Sequence, residues 1–205
     1  MYKTEQEKFW AGEFGDEYID RNIGNKYVSG NINFFSKVFR NTKDIKTAIE
    51  FGANIGLNIM AIKQLLTEAK MSALEINANA CKQLKKIDGV EVFNESILEF
   101  KSKTKWDFVL IKGVMIHLNP DKLQEVYEKL YEASNKYICI AEYYNPTPVA
   151  INYRGHTDKL FKRDFAGEMQ DKYKDLELLD YGFTYRRDDY YYGNDDITWF
   201  LFKKR

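Results

Sequence analysis

The stretch TAIEFGANIGLN, running from Thr47 to Asn58, decides the fold. Thr47–Phe51 reads as a short β-strand, and Gly52 and Gly56 bracket a turn in which the backbone can bend tightly. A helix is expected to follow, through about Ala69. Strand, glycine turn and helix in this order begin an alternation that continues along the chain.

Met71–Glu75 reads as a second strand and Ala78–Lys86 as a helix. Val90–Phe93 is a third strand and Asp107–Lys112 a fourth, which leads through Asn119–Pro120 into a helix from Asp121 to about Ala133. Tyr137–Glu142 is the fifth strand. Strands separated by helices build a parallel sheet, because parallel neighbours need crossover connections. Leu176–Phe183 and Ile197–Phe202 differ, since only a polar loop separates them, and they predict a hairpin. An α/β doubly wound sheet, mostly parallel with an antiparallel C-terminal hairpin, resembles the class I methyltransferase (Rossmann-like) fold. The chain is expected to form one domain, with a core over 46–205. Phe9, Trp10, Phe14 and Tyr18 suggest that 1–45 forms an N-terminal helical lid over the cleft.

Bulk composition narrows the function classes. The 205 residues carry 31 Lys+Arg and 31 Asp+Glu, a balance that argues against binding nucleic acid by phosphate neutralisation. Cys81 and Cys139 are in no metal-ligand or redox spacing, and only two histidines are present, so no metal site is expected. The charged N-terminus and the lack of a long apolar run predict a cytoplasmic protein without a membrane segment. Aromatics make up 16% of the chain, enough both to build a core and to line a pocket for a flat or cationic ligand.

In such sheets a ligand binds at the carboxyl ends of the strands, where strand order reverses. A dinucleotide site asks for G-x-G-x-x-G, whereas Gly52 and Gly56 have G-x-x-x-G spacing. Glu50, at the end of the strand, would repel a pyrophosphate but favour the ammonium of S-adenosylmethionine (SAM). A glycine turn that only packs strand against helix is the plainer alternative, which Glu50 weakens. Glu50, Gly52, Ala53, Asn54, Gly56 and Asn58 are therefore the expected cofactor turn. Glu75, ending the second strand, is placed to accept both ribose hydroxyls, with Ile76 against the adenine. After the third strand, Asn94, Glu95 and Ser96 offer polar groups to the adenine edge, or form a solvated loop. The backbone of Lys112 and Gly113 should pass the methionine moiety. His117 is either a packing residue at a helix entry or a base facing the acceptor.

The chain resembles the pseudaminic acid biosynthesis-associated methylases, a branch of the SAM-dependent methyltransferases. The resemblance rests on Phe9–Asn22, Glu50–Asn58, Glu142–Val149 (EYYNPTPV), Tyr153–His156 (YRGH), Lys162–Met169 (KRDFAGEM) and Asp195–Phe202. It implies an association with nonulosonic acid sugar pathways and does not itself define the methyl acceptor. Asn145–Pro148 (NPTP) is superficially similar to the (D/N/S)-P-P-(Y/F/W) signature of amino methyltransferases. That signature follows the fourth strand, however, and NPTP follows the fifth. Its prolines instead stiffen a loop on the acceptor side.

Methyl transfer needs mainly the alignment of a nucleophile with the sulfonium. Trp10, Tyr18 and Tyr143 could stabilise that cation or simply pack. His117 and His156 are the candidate bases for a hydroxyl acceptor, with Asp164 and Glu142 behind them, and Tyr18 is a further candidate at the reacting centre. Arg21, Arg154, Lys162 and Arg163, with Tyr143 and Asn145, could gather round an anionic acceptor such as a sugar or sugar nucleotide. Two other readings remain open: a non-catalytic SAM-binding partner in sugar assembly, and a methyltransferase of protein or RNA. The oligomeric state is open.

Overall fold

The computed structural model describes residues 2–21 and 24–205. Three helices precede the first strand: α1 (Glu5–Ala11), α2 (Glu13–Arg21) and α3 (Asn25–Val38). Then β1 (Thr47–Phe51), α4 (Leu57–Leu65), β2 (Lys70–Glu75), α5 (Ala78–Leu84), β3 (Val90–Asn94) and β4 (Trp106–Lys112) alternate as expected. They are followed by α6 (Leu123–Ala133), β5 (Ser134–Glu142), the two-residue strands β6 (Val149–Ala150) and β7 (Phe161–Lys162), α7 (Phe165–Lys172), β8 (Leu176–Thr184) and β9 (Ile197–Lys204). The seven long strands form one sheet in the order β3-β2-β1-β4-β5-β9-β8, parallel as far as β5 and antiparallel thereafter. This is the doubly wound class I methyltransferase architecture, with the C-terminal hairpin in place.

Alternate residues of each strand serve opposite faces of the sheet. Ile49, Phe51, Val109 and Ile111 meet Val126, Tyr127 and Leu130 of α6 and Phe165 and Met169 of α7. Ala48, Phe108 and Leu110 meet Phe34, Phe35 and Val38 of α3, Ile59 and Ile62 of α4, and Cys81 and Leu84 of α5. The expected lid over 1–45 is thus too long. Phe34, Phe35 and Val38 are at most 1% exposed, so α3 is a layer of the core that lends Asn31 to the cleft, and α1 and α2 roof it. Asn22, the last residue of the Phe9–Asn22 motif, lies outside the described residues.

Several boundaries move for local reasons. Leu66 leaves helical geometry at φ −121°, ψ 67°, so α4 stops before Ala69 and a turn feeds β2. Pro120–Lys122 forms a separate 3-10 turn, started by the Asn119 side chain accepting from Asp121 N, and α6 begins after it. Helix α7 and the small hairpin β6–β7 occupy a stretch to which the sequence reading assigned no element; Asp164 caps α7 by accepting from Gly167 N at 2.8 Å. Among the described residues no helix is long and apolar enough to cross a membrane.

Candidate functional site

A cavity of about 600 Å³ opens over the carboxyl ends of β1, β2, β4 and β5, beneath α1 and α2. It straddles the β1/β4 boundary, where strand order reverses, and its volume suits a cofactor-sized ligand.

The glycine turn forms one wall. Gly52 has φ +78°, and a Cβ there would lie 2.5 Å from Val114 Cγ2, so only glycine lets the turn pass beneath the loop after β4. Gly52, Ala53, Asn54 and Asn58 line the cavity. Gly56 does not. Its added Cβ would strike Ile87 and Leu84 at 2.6 and 2.8 Å, so this glycine packs α4 against α5 and its expected cofactor contact is corrected to a packing role.

Glu50 also departs from expectation. Its side chain is 1% exposed and sits behind the wall, where Oε1 accepts from Asn58 Nδ2 at 2.5 Å. Burial, only partly opposed by that hydrogen bond, pushes its pKa up to about 8. Glu50 Oε2 and Asn58 Oδ1 are buried without a hydrogen-bond partner among the described residues. Orphaned buried acceptors are costly, and a ligand ammonium is the group that would satisfy them. In this respect the residues present fit the amino-acid end of SAM.

Glu75 lines the opposite end of the cavity with Ile76. Its Oε2 accepts from Asn54 N at 2.7 Å and its Oε1 from Asn77 N at 2.8 Å. These bonds fix the carboxylate and leave each oxygen a lone pair for a ligand hydroxyl. Asn94 is turned away from the cavity, donating to the carbonyls of Glu75 and Ile76 at 3.0 and 3.1 Å, so its role is to tie β3 to the end of β2. Glu95 and Ser96 do line the cavity. The Ser96 hydroxyl is occupied, however, because it donates to Glu7 Oε1 of α1. A second tie to the roof runs from Asn77 Nδ2 to Trp10 O and Asp16 Oδ1, at 3.3 and 2.9 Å.

Beyond β4, Lys112, Gly113 and Val114 pass along the cavity. Gly113 has φ +66°, and an added Cβ would meet nothing within 4 Å; backbone conformation, not crowding within the protein, selects glycine there. Glu142 Oε1 accepts from Val114 N and Met115 N at 3.0 and 2.9 Å and holds this loop in place. His117 follows, 8% exposed and lining the cavity, with Nδ1 2.6 Å from Lys159 O. A carbonyl can only accept, so the proton is on Nδ1 and Nε2 is the bare nitrogen. Burial lowers the His117 pKa to about 4, which keeps the ring neutral. Trp10 lies 4.7 Å from it, centroid to centroid, and Tyr18 stands edge-on to Trp10 at 5.3 Å. His156 is elsewhere: it packs against Phe9 and Phe14, is exposed and does not line the cavity, which removes the geometric ground for a base role.

The proposed anion cluster divides. Arg21, Tyr143 and Arg154 line the cavity. Arg21 also pairs with Glu17 at 3.1 Å, and the Arg154 guanidinium lies 5.6 Å over the Tyr153 ring. Lys162 reaches the site only through Tyr143, whose ring is 5.1 Å from Nζ. Arg163 belongs to another neighbourhood, its Nε bonded to Glu168 Oε1 at 2.5 Å on α7, so it leaves the cluster. Asn145 is half-buried, does not line the cavity and is bonded to Thr147 O at 2.5 Å, which stiffens its own loop. Gln6, Asn31, Asn77, Tyr153 and Asp195 line the cavity without having been singled out. Tyr153, adjacent to Arg154 in YRGH, and Asn77, directly after Ile76, were the legible ones. Among the described residues no cluster of His, Cys, Asp or Glu could hold a metal.

No protein-family profile and no curated protein sequence matches the chain. Solved structures do. A plantazolicin methyltransferase in complex with SAH (S-adenosylhomocysteine) is 14% identical, covers 98% of this chain and 94% of its own, and superposes with a TM-score of 0.67. The magnesium protoporphyrin IX methyltransferase of Synechocystis PCC 6803, with bound SAM, is 10% identical over 100% of both chains, with a TM-score of 0.68. A 1,6-didemethyltoxoflavin-N1-methyltransferase of Burkholderia thailandensis is 11% identical over 97% of this chain and 86% of its own, with a TM-score of 0.67. At these identities the likeness establishes the fold. The narrower resemblance to sugar-pathway methylases draws no support from these matches.

Proposed function

We propose that the chain is a SAM-dependent methyltransferase that acts on a small molecule. The observation that carries this reading is a single cavity joining two complementary ends. Glu75 presents a fixed carboxylate with lone pairs to spare at one end, and at the other Asn58 lines the wall with Glu50 bonded directly behind it, each keeping one buried acceptor unpartnered among the described residues. A ribose and an ammonium carried on one ligand satisfy both. The methyltransferases of the same fold that were solved with SAM or SAH support the choice of cofactor.

When bound, SAM supplies an activated methyl group. The chain's own residues orient and shield. Trp10 and Tyr18 of the roof, with Tyr143 of the floor, offer aromatic surface to a cation and exclude water. His117, neutral and bare at Nε2, can take a proton from a hydroxyl nucleophile.

For the acceptor we propose a small anion of the nonulosonic sugar or sugar-nucleotide class. Arg21 and Arg154, both on the cavity wall, would meet its carboxylate or phosphate, and the sequence resemblance points to the same chemistry. The neighbours of the same fold are named for plantazolicin, magnesium protoporphyrin IX and 1,6-didemethyltoxoflavin, which supports a small-molecule acceptor. Labelled SAM offered with a panel of free and activated nonulosonic acids tests the proposal. Acceptor-dependent release of SAH supports it, and label transferred only to protein or RNA overturns the acceptor class.

A further inference from the structure

Lys112 ends β4. Glu50 of β1 is in register with Leu110, so Glu50 and Lys112 project from the same face of the sheet at diagonal positions on adjacent strands, toward α3 and α4. Opposite charges so placed can attract one another across a sheet. Here they do not meet: no ion pair or hydrogen bond joins Lys112 to any described residue, and its Nζ lies 5.6 Å over the Phe34 ring.

The three acids that act on Lys112 are engaged elsewhere. Glu50 accepts from Asn58, Asp195 from the Tyr143 hydroxyl at 2.5 Å, and Glu142 from the backbone of Val114 and Met115. Burial lowers the Lys112 pKa in spite of them. A desolvated ammonium without a partner is costly, and an arriving anion would offset that cost.

Asn31 stands one turn before Phe34 on α3, on the same helix face. It is 6% exposed, lines the cavity with Lys112, and its side-chain amide bonds to no described residue. Unused donors on Lys112 and Asn31 therefore share the cavity with Asn58, and behind Asn58 lies the Glu50 carboxyl, each of these two with one buried acceptor unused. An α-amino acid group carries its ammonium and its carboxylate on a single carbon, which is the ligand chemistry that fits between them.

We infer that Asn31 and Lys112 form a carboxylate subsite, opposite an ammonium subsite at Glu50 and Asn58, and that the pair selects the cofactor by its free amino-acid group. The inference rests on the SAM reading and adds to it the residues that read the carboxylate. Arg21 and Arg154 are then left for the acceptor.

Calorimetry on the full chain with two probes tests it: SAH, and 5′-methylthioadenosine, which keeps the adenosyl thioether but lacks the amino-acid group. Lys112→Met and Asn31→Ala should each weaken SAH by about ten- to a hundredfold and about three- to tenfold, respectively. Neither should change the affinity for 5′-methylthioadenosine, and that unchanged affinity also reports an intact fold. Lys112→Arg should recover part of the loss. Equal losses for both probes, or wild-type SAH affinity in Lys112→Met, overturn the subsite. Wild-type SAH affinity with slowed turnover overturns it as well, because the ammonium then serves the acceptor. A wild-type chain that binds neither probe overturns the SAM reading itself.

Discussion

His117 Nδ1 lies 2.6 Å from the main-chain carbonyl of Lys159, and this bond decides which ring nitrogen carries the proton. The bond spans two loops, one leaving β4 and one entering β7, and both border the acceptor end of the cavity. With a hydroxyl acceptor, His117→Gln should lower turnover by about 10²- to 10⁴-fold while SAH affinity stays near wild type. The same variant bears on acid stability. The fold holds His117 at about 4, below its ordinary value of 6.5, so the unfolded chain takes up the proton first as pH falls. The stability of the neutral ring is whole above pH 6.5 and is lost on the way down to about 4, by roughly 3 kcal/mol. Urea melts across that window should show the loss in wild type and a smaller one in His117→Gln. Parallel curves would remove the buried-imidazole argument.

Glu75 joins three segments by accepting from Asn54 and Asn77 while ending β2. Glu75→Ala should weaken SAM by about ten- to a hundredfold, from the loss of charged hydrogen bonds worth roughly 1.5–3 kcal/mol. Two backbone donors also lose their acceptor, so a lowered melting temperature should accompany the weaker binding. Unchanged SAM affinity in a folded variant would reduce Glu75 to a turn residue.

Glu50 makes the affinity depend on pH. Its carboxyl, raised to about 8 by burial, is largely protonated at neutral pH, and an ammonium partner requires it to ionise. SAH affinity should therefore climb with pH between about 6 and 8, by up to about tenfold per unit, and level off above. Glu50→Gln should flatten that slope. A wild-type slope as flat as the variant's would remove Glu50 as the ammonium's partner.

Arg154 holds a left-handed backbone at φ +52° and lines the acceptor end. Arg154→Lys keeps the charge and loses the bidentate fork. It should raise the acceptor's KM by about tenfold and leave SAH affinity nearly unchanged. A variant that matches wild type toward every acceptor found, or a neutral acceptor, would remove the anion clamp.

The central strands were legible because they place alternate apolar residues on two buried faces, and the glycine turn because Gly52 and Gly56 both need positive φ. Side-chain direction was not legible. Glu50 ends β1 as expected, yet its side chain faces α4 and Asn58, not open cavity, because even-numbered β1 positions serve that layer. Arg163 and His156 sit in motifs beside the site but are claimed by Glu168 and by Phe9 and Phe14. Aromatic content made the whole N-terminal segment look like a roof. Phe34 and Phe35 belong to the core because α3 packs beside α4, a tertiary choice that residue type alone does not disclose.

The central claim is that the cavity binds an adenosyl sulfur compound bearing an amino acid, and not a dinucleotide. Calorimetry of the wild-type chain with SAH and, separately, with NAD measures this most directly. The account predicts saturable one-to-one binding of SAH and no heat with NAD, because the G-x-x-x-G turn lacks the middle glycine that lets a pyrophosphate approach. Tight NAD binding with no SAH signal would contradict it.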